Sequence, residues 1–143
     1  MRDRVPFLLF RASAMSHALA NQMLARIGLD ARQAGILTMV TEMEPMTQKD
    51  LGDALGIDRT TMVALLDGLE EQGYVHRQRH PDDRRAFLIQ PTDAGHRAKA
   101  AAVRVLDQQQ SLFLGSLATS EREQLAALLK RLMNRTDTRQ PGT

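Results

Sequence analysis

Along most of this chain apolar residues recur at steps of three and four, the spacing of one face of a helix. From about Pro6 to Arg26 the stripe is Leu8, Ala12, Met15, Leu19 and Met23. Pro6 falls in a first turn that tolerates proline, and Gly28 is placed to end the helix in a left-handed conformation. Asp30 then opens a second helix, with Gln33 at capping-box spacing, Ile36, Leu37, Val40 and Met43 facing inward, and Pro45 as the stop. Thr47 starts a short third helix, about Gln48 to Leu55, that turns Leu51 and Leu55 inward. Gly56-Ile57 make the next turn, Asp58 caps a fourth helix from about Arg59 to Gln72, and Gly73 ends it.

The period changes after Gly73. Tyr74 to Arg79 and Ala86 to Gln90 are the two strand candidates, joined by His80-Pro81-Asp82-Asp83, which is turn chemistry. Pro91 ends the second strand, and Thr92 caps a long helix reaching about Leu114, broken by Gly115-Ser116. Ser120 and Glu123 have capping-box spacing ahead of a last helix with its stripe at Leu125, Leu128, Leu129, Leu132 and Met133. Thr136 to Thr143 is expected to be a disordered tail. The pattern predicts a mainly α fold with a small β-hairpin, an α+β arrangement.

The outer helices raise a problem of cover. The long one, ~22 residues, would span ~33 Å, too long to bury its stripe against a central unit of ~50 residues alone. Packing the terminal helices together and against a second copy solves this, so a two-fold homodimer is expected.

Composition narrows the chemistry. In 143 residues aromatics are 3% and Trp is absent, so Leu, Ala, Val and Met must fill the interior, which suits helix-on-helix packing. Without Cys there are no disulfides, thiolate metal sites or cysteine nucleophiles. Arg11 interrupts the apolar patch near the N-terminus, and no stretch approaches the ~18 apolar residues of a membrane span. A cytoplasmic protein with no membrane partner is expected. Net charge is only +2, but Arg77, Arg79, Arg84 and Arg85 fall within ten residues around the hairpin turn.

On the fourth helix Met62, Leu65, Leu66 and Leu69 point inward by spacing, which turns Arg59, Thr60, Val63, Ala64 and Asp67 outward, with Thr61 near the boundary. The exposed side of its first two turns is therefore small or basic, as a helix entering a major groove requires. Its N-terminal N–H groups can also face a phosphate. Asp67, Glu70 and Glu71 crowd the far end and would repel DNA, so only the front should enter. The arginine-bearing hairpin can reach a narrow minor groove. Asp83 and Arg85, two apart on an extended segment, are expected to point the same way, the carboxylate fixing the guanidinium. The bland alternatives are an ordinary amphipathic helix and a solvated turn with weak surface ion pairs.

The order of elements, with LGDALGIDRTTMVALLDGLEEQGYV and HRQRHPDDRRAFLIQPTDAG, resembles the MarR family of winged helix-turn-helix regulators. The resemblance runs from Leu29 to Leu132 and is strongest at Gly73, Arg77, Pro81, Asp83, Arg84, Arg85 and Gly95. It implies a homodimer joined through its N- and C-terminal helices that binds pseudo-palindromic double-stranded DNA. Such proteins are usually repressors, released by a small, often aromatic or phenolic, effector. On matching positions Asp58 to Gln72 is the recognition helix, and Asp83 and Arg85 are the wing-tip Asp-x-Arg pair. The implied division is 1–29 dimerisation helix, 30–91 winged helix-turn-helix, 92–135 C-terminal dimerisation helices and 136–143 tail. The expected DNA-contacting set is Thr47, Gln48, Lys49, Asp58, Arg59, Thr60, Thr61, Val63, Ala64, Arg77, Arg79, Asp83, Arg84 and Arg85.

Two positions depart from the family pattern. His80 stands where Asp is common, so wing charge would vary with pH, since an unperturbed imidazole titrates near ~6.5. Pro91 replaces the usual Leu and would shorten the second strand.

Other chemistry finds little support. His17, His76, His80 and His96 form no His-Glu-x-x-His or comparable cluster, and no nucleophile–base pair or Gly-rich phosphate loop appears. Neither a metal, a cofactor nor an enzymatic activity is expected. Met15, Met23, Met43 and Met62 read as core packing, and Tyr74 as the seat of the hairpin base. The competing function is a protein-interaction module that keeps the scaffold without reading DNA.

Overall fold

The computed structural model describes residues 1–43 and 45–137, with side chains through residue 134. It forms two compact units, Met1–Gln109 and the chain from Gln110 onward. In the first, α1 (Val5–Leu24) carries Pro6 in its first turn and runs into a 3₁₀ turn, Ala25–Ile27. Gly28, at φ 74°, reverses the chain as expected. There follow α2 (Ala31–Glu42), the two-residue strand β1 (Met46–Thr47), α3 (Gln48–Leu55), α4 (Arg59–Glu71), the strands β2 (Val75–Arg79) and β3 (Phe87–Pro91), and α5 (Asp93–Phe113), whose last four residues belong to the second unit.

Each central helix starts on a side-chain cap. Asp30 accepts the Gln33 N–H at 2.8 Å while Gln33 accepts the Asp30 N–H at 3.1 Å, completing the box. Thr47 accepts the Asp50 N–H at 3.0 Å, and Asp58 the Thr61 N–H at 3.1 Å. Leu24, Ile36, Leu37, Leu51, Met62, Leu66, Leu69, Val75 and Ile89 are fully buried and form one core under α4 and the sheet. At about 1.5–3 kcal/mol for each fully buried large apolar side chain, this cluster is the main force holding α4 in place.

Several expectations need correction. The sheet has three strands, not two: β1 (Met46–Thr47) pairs antiparallel with β3, giving the order β1-β3-β2. Two residues are too few to show a period in sequence. Pro91 ends β3 as expected, but as the strand's own last residue, opposite Val75, one position beyond the expected Gln90.

The deepest residues of α1 are Ala20 and Leu24; of the expected stripe Leu19 and Met23 are half-buried, while Leu8 (49% exposed), Ala12 and Met15 (58%) are exposed. Apolar residues lie on several faces of this helix, so spacing alone fits more than one stripe. Met43, expected inward, follows the last helical residue of α2 and is 56% exposed.

The second unit contains α6 (Thr119–Asp137). Its opening cap is made by Glu121, which accepts the Ala118 N–H at 2.9 Å, in place of the expected Ser120–Glu123 box. Leu125, Leu128 and Leu132 are exposed and Leu129 half-buried. The helix takes in Thr136 and Asp137, two residues expected in the tail; the remainder, 138–143, lies outside the described residues. No described helix is long and apolar enough to cross a membrane.

Candidate nucleic-acid interface

The angle between α3 and α4 is set at Gly52. A β-carbon there would stand 2.9 Å from the Ile57 carbonyl, so only glycine lets the turn close this tightly. The Ile57 N–H donates to the Gly52 carbonyl at 2.9 Å, and Gly56 supplies the left-handed residue between. With α3 fixed, Met62, Leu66 and Leu69 anchor the inner side of α4. Arg59, Thr60 and Ala64 are left exposed and Val63 half-exposed. This is the small, basic front that the spacing predicts.

Asp58 takes part in this front. The Thr61 hydroxyl and the Thr61 N–H both donate to its carboxylate, and together they hold the group below its ordinary value. The Thr61 hydroxyl and amide are therefore committed to the cap. That amide is one of those expected to be open to a phosphate.

The hairpin's turn is built from its own side chains. His80 Nδ1 accepts the Asp82 N–H at 3.1 Å, a role only an unprotonated nitrogen performs. Asp83 accepts the Arg85 backbone N–H at 2.9 Å, and the Ala86 N–H reaches the Asp83 carbonyl at 3.1 Å. Here a correction is needed: Asp83 holds the backbone of Arg85, not its guanidinium. Local side-chain-to-backbone bonding wins in a tight turn, where the amide two residues on lies within reach. Arg79, Arg84 and Arg85 are exposed and make no ion pair among the described residues.

Arg77 differs from these three. Its guanidinium lies 2.8 Å from Asp67, 3.8 Å from Glu70 and 3.2 Å from the Val63 carbonyl, with its side chain only 18% exposed. Its backbone N–H also donates to Glu70 at 3.1 Å.

A groove of about 980 Å³ runs between α3, the front of α4 and the hairpin. It gathers Gln48, Lys49, Arg59, Val63, Arg77, Asp83 and Arg85 from the expected set. Gly52, Asp53, Asp67 and Phe87 also line it, though sequence reasoning did not assign them to the interface. Thr47, Asp58, Thr60, Thr61, Ala64, Arg79 and Arg84 do not line the groove.

Two smaller hollows, about 450 and 390 Å³, share His17 and Arg32. Gly56, Ile57 and Asp58, at the start of α4, line the second. No three His, Asp or Glu residues among those described are grouped to hold a metal ion.

A family model described as MarR family matches residues 27–86. The HTH-type transcriptional regulator YcgE of Bacillus subtilis (strain 168) is 38% identical over 82 residues, 57% of this chain and 51% of YcgE. The chain spans 51% and 59% of the first curated relatives it matches. A MarR-family transcriptional regulator from Rhodococcus sp. RHA1 superposes with a TM-score of 0.86 at 28% identity, covering 92% of this chain and 94% of the other. CouR from Rhodococcus jostii RHA1, solved with p-coumaroyl-CoA, superposes with a TM-score of 0.76 at 30% identity, covering 91% and 92%. The transcriptional repressor CouR bound to a 23-mer DNA duplex aligns at a TM-score of 0.82 and 26% identity, covering 92% and 93%. A capped helix pair, a hairpin wing and these correspondences agree: the chain belongs to the MarR family of winged-helix transcriptional regulators.

Proposed function

We propose that this protein is a homodimeric, sequence-specific DNA-binding repressor released by a small aromatic effector. The observation that carries the reading is the single groove shared by Arg59 on α4, Lys49 on α3 and Arg85 on the wing. Three cations from three elements around one groove suit a phosphate-lined duplex, with α4 in the major groove and the wing arginines toward the minor groove. Thr60 and Ala64 read base edges from the exposed front of α4, and Arg79 and Arg84 flank the wing contact. Enrichment of a two-fold sequence from a random duplex pool tests this. A pool that stays unenriched contradicts it.

The dimer rests on exposed apolar residues of α1 and of α6, which need cover that a second copy supplies. A protein-interaction module would use the acidic end of α4, but Asp67 and Glu70 there are already engaged by Arg77. For the effector, the hollow at His17, Arg32 and Asp58 offers a cation and an imidazole beside the cap of the recognition helix. An aromatic acid filling it would disturb Asp58 and with it the start of α4. Release of a selected duplex by such acids, lost in Arg32→Ala protein, supports that location; release that survives Arg32→Ala and His17→Ala contradicts it.

A further inference from the structure

We infer that Arg77 is a positioning residue, clipping the wing to the recognition helix, rather than a DNA contact. The inference rests on the DNA-reading function proposed above and assigns one of its arginines a different task. Val63, Asp67 and Glu70 lie at i, i+4 and i+7, one stripe on the outer side of α4. Arg77 meets all three from β2: the Asp67 carboxylate at 2.8 Å, the Val63 carbonyl at 3.2 Å and Glu70 at 3.8 Å. The Arg77 amide adds a fourth link to Glu70 at 3.1 Å.

A planar fork with several fixed donors can join a carbonyl and a carboxylate at once; a point charge cannot do so with the same geometry. Arg77 is mostly covered, whereas Arg79, Arg84 and Arg85 are exposed and unpaired among the described residues. The bond does two things. It sets where the wing stands relative to α4, and it offsets a carboxylate that would otherwise face the duplex across the groove.

Asp67→Asn gives a test in which the two roles differ in sign. It removes a negative charge from the groove, so if Arg77 were a DNA contact held back by Asp67, affinity would rise. If Arg77 is a clip, affinity falls by about tenfold, on the order of one charge-assisted hydrogen bond. Fluorescence anisotropy is run on a duplex enriched from a random pool by the wild-type protein. Asp67→Asn and Arg77→Lys each lose about tenfold, Asp67→Glu recovers most of it, and the salt dependence stays at the wild-type slope because no phosphate contact is lost.

Hydrogen exchange of the free protein gives a second, DNA-independent reading: Val75–Arg79 amides exchange faster in Asp67→Asn protein, with the core amides unchanged. Equal or tighter binding by Asp67→Asn, or wild-type binding by Arg77→Lys, overturns the inference. Should the wild-type protein enrich no sequence, the DNA-reading function fails, and the exchange measurement alone decides the clip. Faster wing exchange then upholds it and unchanged exchange overturns it.

Discussion

Gly95 lies so close to the carbonyl of Tyr74 that a β-carbon on Gly95 would overlap the oxygen. This contact marks where α5 leaves the sheet. The Thr92 hydroxyl donates to the Gly73 carbonyl at 2.6 Å and accepts the Gly95 N–H at 3.0 Å, while the Thr92 N–H reaches the Tyr74 carbonyl at 3.0 Å. The end of α4, the base of the wing and the start of α5 are thus joined at one knot. Gly95→Ala must push backbone from backbone there. Destabilisation of about 1–3 kcal/mol is expected, as for other overpacked sites, read as a lower denaturant midpoint at constant m-value.

Arg85 and Arg84 are exposed on the wing with no ion pair among the described residues, so each is available to phosphate or a groove. Arg85→Ala is expected to weaken binding to the selected duplex by about 1–3 kcal/mol. If it meets a phosphate, the slope of log affinity against log salt should drop by about one. Anisotropy titrations at several salt concentrations check this. Unchanged affinity and slope would remove Arg85 from the interface.

The Asp58 cap predicts an acid limb of known sign. Its carboxyl lies below the ordinary value because the Thr61 hydroxyl and amide favour the charged form. The stabilisation is therefore fully present above the unfolded value, about 3.9. It is lost as pH falls through the lower folded value. Asp58→Asn should lower Tm at neutral pH less than in a comparison with no cap at all, and should flatten the Tm decline in acid. An acid limb as steep as wild type would contradict the assignment.

Much of the central unit was legible because its boundaries are local chemistry. Asp30, Thr47 and Asp58 cap helices through bonds to residues three positions on, and Gly28, Gly56 and Gly73 all take positive φ where the chain reverses. What stayed hidden depends on partners far along the chain. The two residues of β1 are a strand only because β3 lies beside them. The pairing of Arg77 with Asp67 requires β2 to fold back across α4, which no spacing reveals. On α1 the choice of buried side was made by the core rather than by the helix, whose apolar residues allow several. At α6 the segment Ala118-Thr119-Ser120-Glu121-Arg122-Glu123 offers two overlapping cap spacings, and the earlier one forms.

Phe10 is 71% exposed, with Val5, Leu8 and Leu9 also open on the same helix. If a second copy covers them, Phe10→Glu should raise the dimer dissociation constant by at least about tenfold, the effect of losing one anchoring aromatic. Sedimentation velocity over a concentration series measures it. A wild-type protein that stays monomeric at all concentrations would contradict the dimer.

Base-modification interference on the selected duplex tests most directly whether the front of α4 and the wing grip one double helix together. Methylation blocks guanine N7 in the major groove and adenine N3 in the minor groove. The predicted pattern is two major-groove patches about 10 bp apart, or a whole-turn multiple, each flanked by minor-groove interference from the wing. Arg85→Ala should erase the minor-groove signal and leave the other. Interference confined to a single groove, or absent from both, would contradict the account.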